Sequence, residues 1–261
     1  MTGQRLRFQM TDLRGLPRPR RSFEGSNPKN CVILQAMLGF SPVLFGAAAG
    51  YGLGWAIWVV TGHFVSGYRS HQAPSQEVAR LEAADTGSIS LRAALVPVAM
   101  ALWGGYVAWQ ASSVAVATST LVITALLVCL SWVDFQVRRL PNPLVLALLG
   151  WAVVQSLWLG SPTLVMAAVG MAVAGGIFLL LAILGRGALG LGDVKLAAAI
   201  GALGGFPVAL VGLVIGIVAG GVAALLLLLT HRAGRKDTMA YGPYLALGAW
   251  LVLTRVMGLW P

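Results

Sequence analysis

The sequence predicts an all-α fold, a polytopic membrane helical bundle of about eight transmembrane helices, and three observations carry that prediction. Of 261 residues, 58% are hydrophobic and 10% charged, and the mean hydropathy is +0.83. Several apolar runs reach the roughly 17–25 residues that cross a hydrocarbon core as helix. Thirty-three glycines and abundant alanine suit membrane helices, whose backbones approach closely at small residues, better than a soluble bundle. The net charge of +10 is not gathered into one stripe. Ten of the eighteen Lys and Arg fall in short loops or at helix ends between residues 69 and 236, where topology signals belong. The charge therefore indicates a lipid bilayer as partner, with no nucleic acid.

Residues 1–30 are basic and broken by Pro and Gly, and they read as a disordered arm without the apolar core of a cleavable signal peptide. Residues 31–110 form an N-terminal membrane segment. Within it, one tilted or kinked span is expected over 38–60, with Pro42 near its start, followed by a polar loop over 61–90. The tract Ser75 to Asp85 in that loop can be helical. Further spans are expected at about 91–110, 113–133, 142–160, 163–184, 188–205, 207–230 and 241–259. Residues 111–261 make up the membrane core. Turn chemistry marks its joints: Pro141-Asn142-Pro143, Gly160-Ser161-Pro162, Gly204-Gly205-Phe206-Pro207 and Tyr241-Gly242-Pro243.

The loops after residues 134, 185 and 230 carry Arg138, Arg139, Arg186, Arg232, Arg235 and Lys236, whereas the turns near 111, 161 and 206 carry no Lys or Arg. That alternation places the first set in the cytoplasm. Counting back through eight spans then puts the N-terminus outside with its seven basic residues, unless the first stretch does not cross. The repeated alternation outweighs the single arm.

Cysteine and histidine point to no metal or cofactor. Cys31 and Cys129 stand far apart in apolar context and read as small buried hydrophobes, no CxxC pair exists, and His63, His71 and His231 lie in unrelated loops. Carboxylates are more informative. Six of the eight Asp and Glu lie in polar stretches, while Asp134 and Asp193 sit at the edges of long apolar runs. An ionisable group near hydrocarbon costs about 2.5–3.5 kcal/mol on insertion scales, so it usually has a role. Two spans separate these aspartates, an even number, so both return to one membrane face. Two carboxylates meeting in low dielectric share a proton. The charged member can then take a proton from water while the neutral one donates to a scissile carbonyl oxygen.

Plainer readings exist for each residue. Asp193 can cap its helix, and Asp134 can answer Arg138 one turn on. Lys195, two residues from Asp193, has the wrong spacing to pair with it on a helix and reads as a snorkelling side chain. Gly190 and Gly192 permit close packing or a local break beside Asp193. On that reading Gly192→Val blocks the site, and Gly204→Val is milder.

Gly190-Leu191-Gly192-Asp193-Val194-Lys195 matches the GxGDxK pattern of the type IV prepilin peptidases, a family of GxGD intramembrane aspartyl proteases. Asp134 followed by Arg139-Leu140-Pro141-Asn142 resembles that family's other aspartate segment. Tyr241-Gly242-Pro243-Tyr244-Leu245-Ala246-Leu247-Gly248 resembles its last span. The resemblance covers residues 91–259 well. It implies that Asp134 and Asp193 are the catalytic pair, with Gly190, Gly192, Lys195, Arg139, Pro141 and Asn142 as supporting motif. It further implies cleavage of the basic leader from a prepilin or pseudopilin, at the cytoplasmic face of a bacterial inner membrane. Larger family members carry paired cysteines in an early loop and also N-methylate the new terminus with S-adenosylmethionine. Residues 61–90 contain no cysteine, and Gly54-Trp55-Ala56-Ile57-Trp58 stands where a GSFLN-type segment is expected, so the expectation is a peptidase alone. The rivals are a proton-coupled transporter, which requires further polar residues along the spans, and a catalytically inactive pilus-assembly factor. A presenilin-like protease expects a tyrosine before its first aspartate, whereas Val133 precedes Asp134.

Overall fold

The computed structural model describes residues 28–72, 95–185, 189–230 and 240–259, and all regular structure among them is helical. The chain divides into residues 1–39 and 40–261, and the helix packing and the site belong to the second unit. Among the described residues eight helices occur in order: α1 (Pro28–Gln72), α2 (95–110), α3 (Val114–Val137), α4 (Asn142–Leu159), α5 (Leu164–Leu184), α6 (Leu191–Gly204), α7 (Val208–Leu229) and α8 (Gly242–Val256). Most of the expected arm, the tract at 75–85, and the basic residues Arg186, Arg232, Arg235 and Lys236 lie outside the described residues.

Helix boundaries obey the turn chemistry. Ser113 and Thr163 cap α3 and α5 by accepting the backbone N–H of Val116 and Met166. Arg138 adopts a left-handed conformation (φ 52°) that ends α3, its N–H donating to the Asp134 carbonyl at 2.8 Å. Pro141 then precedes the first residue of α4. Two expectations change. The helix of the first span continues to Gln72, well into the stretch read as a polar loop, because Thr61 returns its hydroxyl to the Ile57 carbonyl (2.7 Å) and both Thr61 and Val65 are buried. His63 and His71 accordingly lie on α1, not in loops.

The second change concerns length. Among the described residues, five helical stretches are long and apolar enough to cross a membrane: Pro42–Gly67 within α1, and α3, α4, α5 and α7. The 14 residues of α6 rise only about 21 Å and the 15 of α8 only about 22 Å, short of a hydrocarbon core of about 30 Å.

Close backbone contact builds the bundle. Gly46, Gly50 and Gly54 form a four-residue repeat on α1, and a side chain on any of them would strike α2 at Gly104, Met100 or Pro97. Gly170 and Gly201 likewise join α5 to α6, and Gly212 and Gly216 join α7 to Gly248 and Leu245 of α8. The short helix α6 is central. It packs against α4, α5, α7 and α8, and Leu196, Ile200 and Leu203 are fully buried beside Leu130, Leu148, Phe178 and Leu245. Cys129 is buried and free in this core.

Candidate active site

Asp134 occupies the last turn of α3 and Asp193 the first turn of α6. Asp134 is 5% exposed and is the only fully buried charged residue among those described. Asp193 is half-buried. The two carboxylates lie within electrostatic reach of each other, and the two intervening helices, α4 and α5, return the chain to the same end of the bundle. A buried carboxylate that kept its full charge without partners would be costly, so its surroundings are the next question.

One partner comes from α8. The Gly242 backbone N–H donates to Asp134 Oδ2 at 3.0 Å. Gly242 is the first residue of α8, where an N–H has no acceptor within the helix and the helix dipole favours a carboxylate. Only glycine fits: a Cβ there would lie 2.6 Å from Oδ2 and 3.1 Å from Cγ of Asp134. The preceding residue, Tyr241, lies within electrostatic reach of Asp193. Neither stands out in the sequence as a site residue. Glycine before proline at a helix start is common, and nothing local to Tyr241-Gly242-Pro243 shows which carboxylate it meets.

Two contacts hold the aspartate segments together. A Cβ on Gly192 would meet Leu140 at 3.3–3.6 Å, so the glycine lets the first turn of α6 close onto the turn after α3. Lys195 Nζ donates to Asn142 Oδ1 at 2.9 Å, with both residues exposed. Lys195 therefore has a specific partner on the other motif, in place of the merely snorkelling side chain expected. Gly190 caps α6 in an ordinary extended conformation, and a Cβ on it would make van der Waals contact with Asp193 Oδ2 at 3.6 Å. No unusual backbone angle is involved. Pro141 is buried at the head of α4. Arg139 is exposed, and among the described residues no hydrogen bond or ion pair joins it to either carboxylate. Gly204 is not the permissive comparator expected of it, because a Cβ there would meet the Ala209 backbone at 3.1–3.2 Å.

An apolar cavity of about 520 Å³ runs between α2, α3 and α8. Its lining reaches from Thr124 to Phe135 on α3 and from Trp250 to Pro243 on α8, so one end comes to the residues flanking Asp134 and Gly242. The hydroxyls within it are internally engaged: Thr124 accepts from both Trp103 and Trp250, and Ser131 donates to the Leu127 carbonyl. Away from the carboxylates, the buried Gln155 ties α4 to Ser119 of α3, to the Ser161 carbonyl and to the Leu203 carbonyl of α6. A neutral amide of this kind holds helices together but relays no proton.

Residues 121–225 match the type IV leader peptidase family. The prepilin leader peptidase/N-methyltransferase of Stutzerimonas stutzeri is 33% identical to the chain over 179 residues, 64% of this chain and 59% of that protein. The proteins of the same description from Pseudomonas aeruginosa and Neisseria gonorrhoeae are 30% and 31% identical, over 64% and 66% of this chain and 59% and 60% of theirs. The chain thus spans about three fifths of the length of these relatives. No solved structure matches it. The family match encloses both Asp134 and Asp193 and ends before Tyr241.

Proposed function

We propose that this chain, whose residues 121–225 match the type IV leader peptidase family, is a bacterial membrane endopeptidase of the aspartic type. Its substrate on this reading is a prepilin or pseudopilin, from which it removes the basic leader at the cytoplasmic face. The observation that carries the proposal is the placement of Asp134 and Asp193 within electrostatic reach of each other, Asp134 at the N-terminus of α8 and Asp193 in the first turn of α6. Both helices fall short of the bilayer thickness, which favours a depression at the carboxylates that water and an unwound peptide can enter from one side.

In that depression the charged carboxylate takes a proton from water as the water oxygen attacks the scissile carbonyl carbon. The protonated partner donates to the carbonyl oxygen. Collapse of the tetrahedral intermediate breaks the C–N bond, and a proton passes to the leaving amine. The exposed Arg138 and Arg139 beside the pair support the cytoplasmic orientation, and the apolar cavity along α2, α3 and α8 suits the apolar stretch that succeeds a leader. The relatives are described as N-methyltransferases as well. The absence of cysteine from residues 61–90 favours a peptidase alone in this chain.

The test is replacement of each aspartate by its amide. Asp134→Asn still accepts the Gly242 N–H, so the fold should hold while cleavage of a basic-leader prepilin is abolished, and Asp193→Asn should behave alike. Asp237→Asn is the control. Near-wild-type cleavage by either site variant, per unit of inserted protein, sinks the dyad.

A further inference from the structure

The α8 turn whose Gly242 amide holds Asp134 is itself seated on α7, through Tyr241, which lies outside the matched family segment. The Tyr241 ring lies over Gly220: a Cβ on that glycine would fall 2.6 Å from Cε2 and 3.1 Å from Cζ of the ring. The phenol hydroxyl donates to the Ile217 carbonyl at 3.1 Å, one turn earlier on α7. The ring is thus pinned at its face and at its tip. The next residue in the chain carries the amide that holds Asp134 Oδ2, where there is no room for even one added carbon. A chain of contacts with no slack runs from Gly220 to the Tyr241 ring, to the Gly242 amide, to the carboxylate.

We infer that Gly220 and Tyr241 are positioning residues for the carboxylate pair: α7 sets the orientation of Asp134 by seating the Tyr241 ring that places the Gly242 amide. The inference rests on the reading of Asp134 and Asp193 as the reacting pair, and it adds where their geometry is controlled. With Oδ2 committed to Gly242, Oδ1 is the oxygen left to address water. A ring pushed off Gly220 carries the amide away and frees the carboxylate to turn. The separation between Asp134 and its partner is then no longer fixed, and a misplacement of about 1 Å lowers rates about a hundredfold. Gly221, the next residue, has nothing within 4 Å of its Cβ position, so the two neighbours on one helix form a matched pair.

The experiment measures kcat and KM for cleavage of a synthetic peptide with a basic leader, a glycine and an apolar helix, using the full-length protein in proteoliposomes. Gly220→Ala should lower kcat by about ten- to a hundredfold with KM within about twofold, and Gly221→Ala should match the wild type. Tyr241→Ala should show the same kcat loss, and adding Gly220→Ala to it should produce no further fall, because the two act through one ring. Tyr241→Phe, which keeps the ring, should retain most of kcat. Should Gly220→Ala fail to insert, the Tyr241→Ala and Tyr241→Phe pair decides alone. Equal kcat for Gly220→Ala and Gly221→Ala, additive losses in the double variant, a normal kcat for Tyr241→Ala, or an effect confined to KM each overturn the inference. Loss of cleavage by Asp134→Asn alongside any of these leaves the dyad standing, whereas cleavage by Asp134→Asn removes the dyad itself.

Discussion

Gly192 offers a graded test of how the two aspartate segments are held in register. A Cβ placed there lies 3.3 Å from Leu140 Cδ1, 3.4 Å from Cβ and 3.6 Å from Cγ. Carbon atoms prefer about 3.5–4.0 Å, so alanine requires Leu140 to yield by a few tenths of an ångström. Leu140 is a half-buried side chain on a turn and can do so. The helix propensity gained on replacing Gly by Ala, up to about 1 kcal/mol, offsets that strain. Gly192→Ala should therefore insert normally and cleave within a few-fold of wild type. Valine adds two further methyls at the same contact, and overpacking of this kind costs about 1–3 kcal/mol. A bundle of eight helices can absorb that cost, but the relief comes from moving the first turn of α6 away from residues 138–141, and Asp193 moves with it. A shift of about 1 Å predicts about a hundredfold loss of cleavage per unit of inserted protein. Gly176→Val, where a Cβ has nothing within 4 Å, is the control. Leu140→Ala should restore part of the lost activity in the valine variant by vacating the contact. The assay is processing of a basic-leader prepilin in membranes, normalised to inserted enzyme. If Gly192→Val cleaves as well as Gly176→Val, or Leu140→Ala gives no rescue, the close approach of these turns does not govern catalysis.

Three other expectations can be checked with the same material. Lys195→Met and Asn142→Ala should each weaken cleavage by only about 0.2–1 kcal/mol, because the bond is exposed, and the double variant should be no worse than either single one; a strictly additive loss would show that the pair does not act as one contact. Thr124→Val takes a shared acceptor from Trp103 and Trp250, and thermal unfolding in detergent should report a loss of about 1–2 kcal/mol with cleavage at permissive temperature unchanged. Strong chelation should leave cleavage intact, and mass spectrometry of the product formed by purified enzyme with S-adenosylmethionine should find an unmethylated amine; a methylated terminus would restore the second activity named for the relatives.

The sequence by itself determined whatever depends on neighbouring residues and on counting. Helix ends are legible because their causes are local: Ser113 and Thr163 cap the helices they precede, Pro141-Asn142-Pro143 opens α4, and Gly160-Ser161-Pro162 closes it. The shared membrane face of Asp134 and Asp193 needs only the parity of the two intervening helices. The far end of the first helix is not legible in the same way, because Thr61 looks polar in sequence yet returns its hydroxyl to its own backbone. Only the tertiary structure decided contacts between residues distant in the chain. Gly242 meets Asp134 across 108 positions and Lys195 meets Asn142 across 53, and neither pairing leaves a local trace. Gly192 and Gly204 look alike in sequence, but one faces a yielding leucine side chain and the other a backbone. Gly220 and Gly221 are adjacent, yet one seats a tyrosine ring and the other faces open space. A glycine states that no side chain stands there, and only the packing of helices shows what has taken its place.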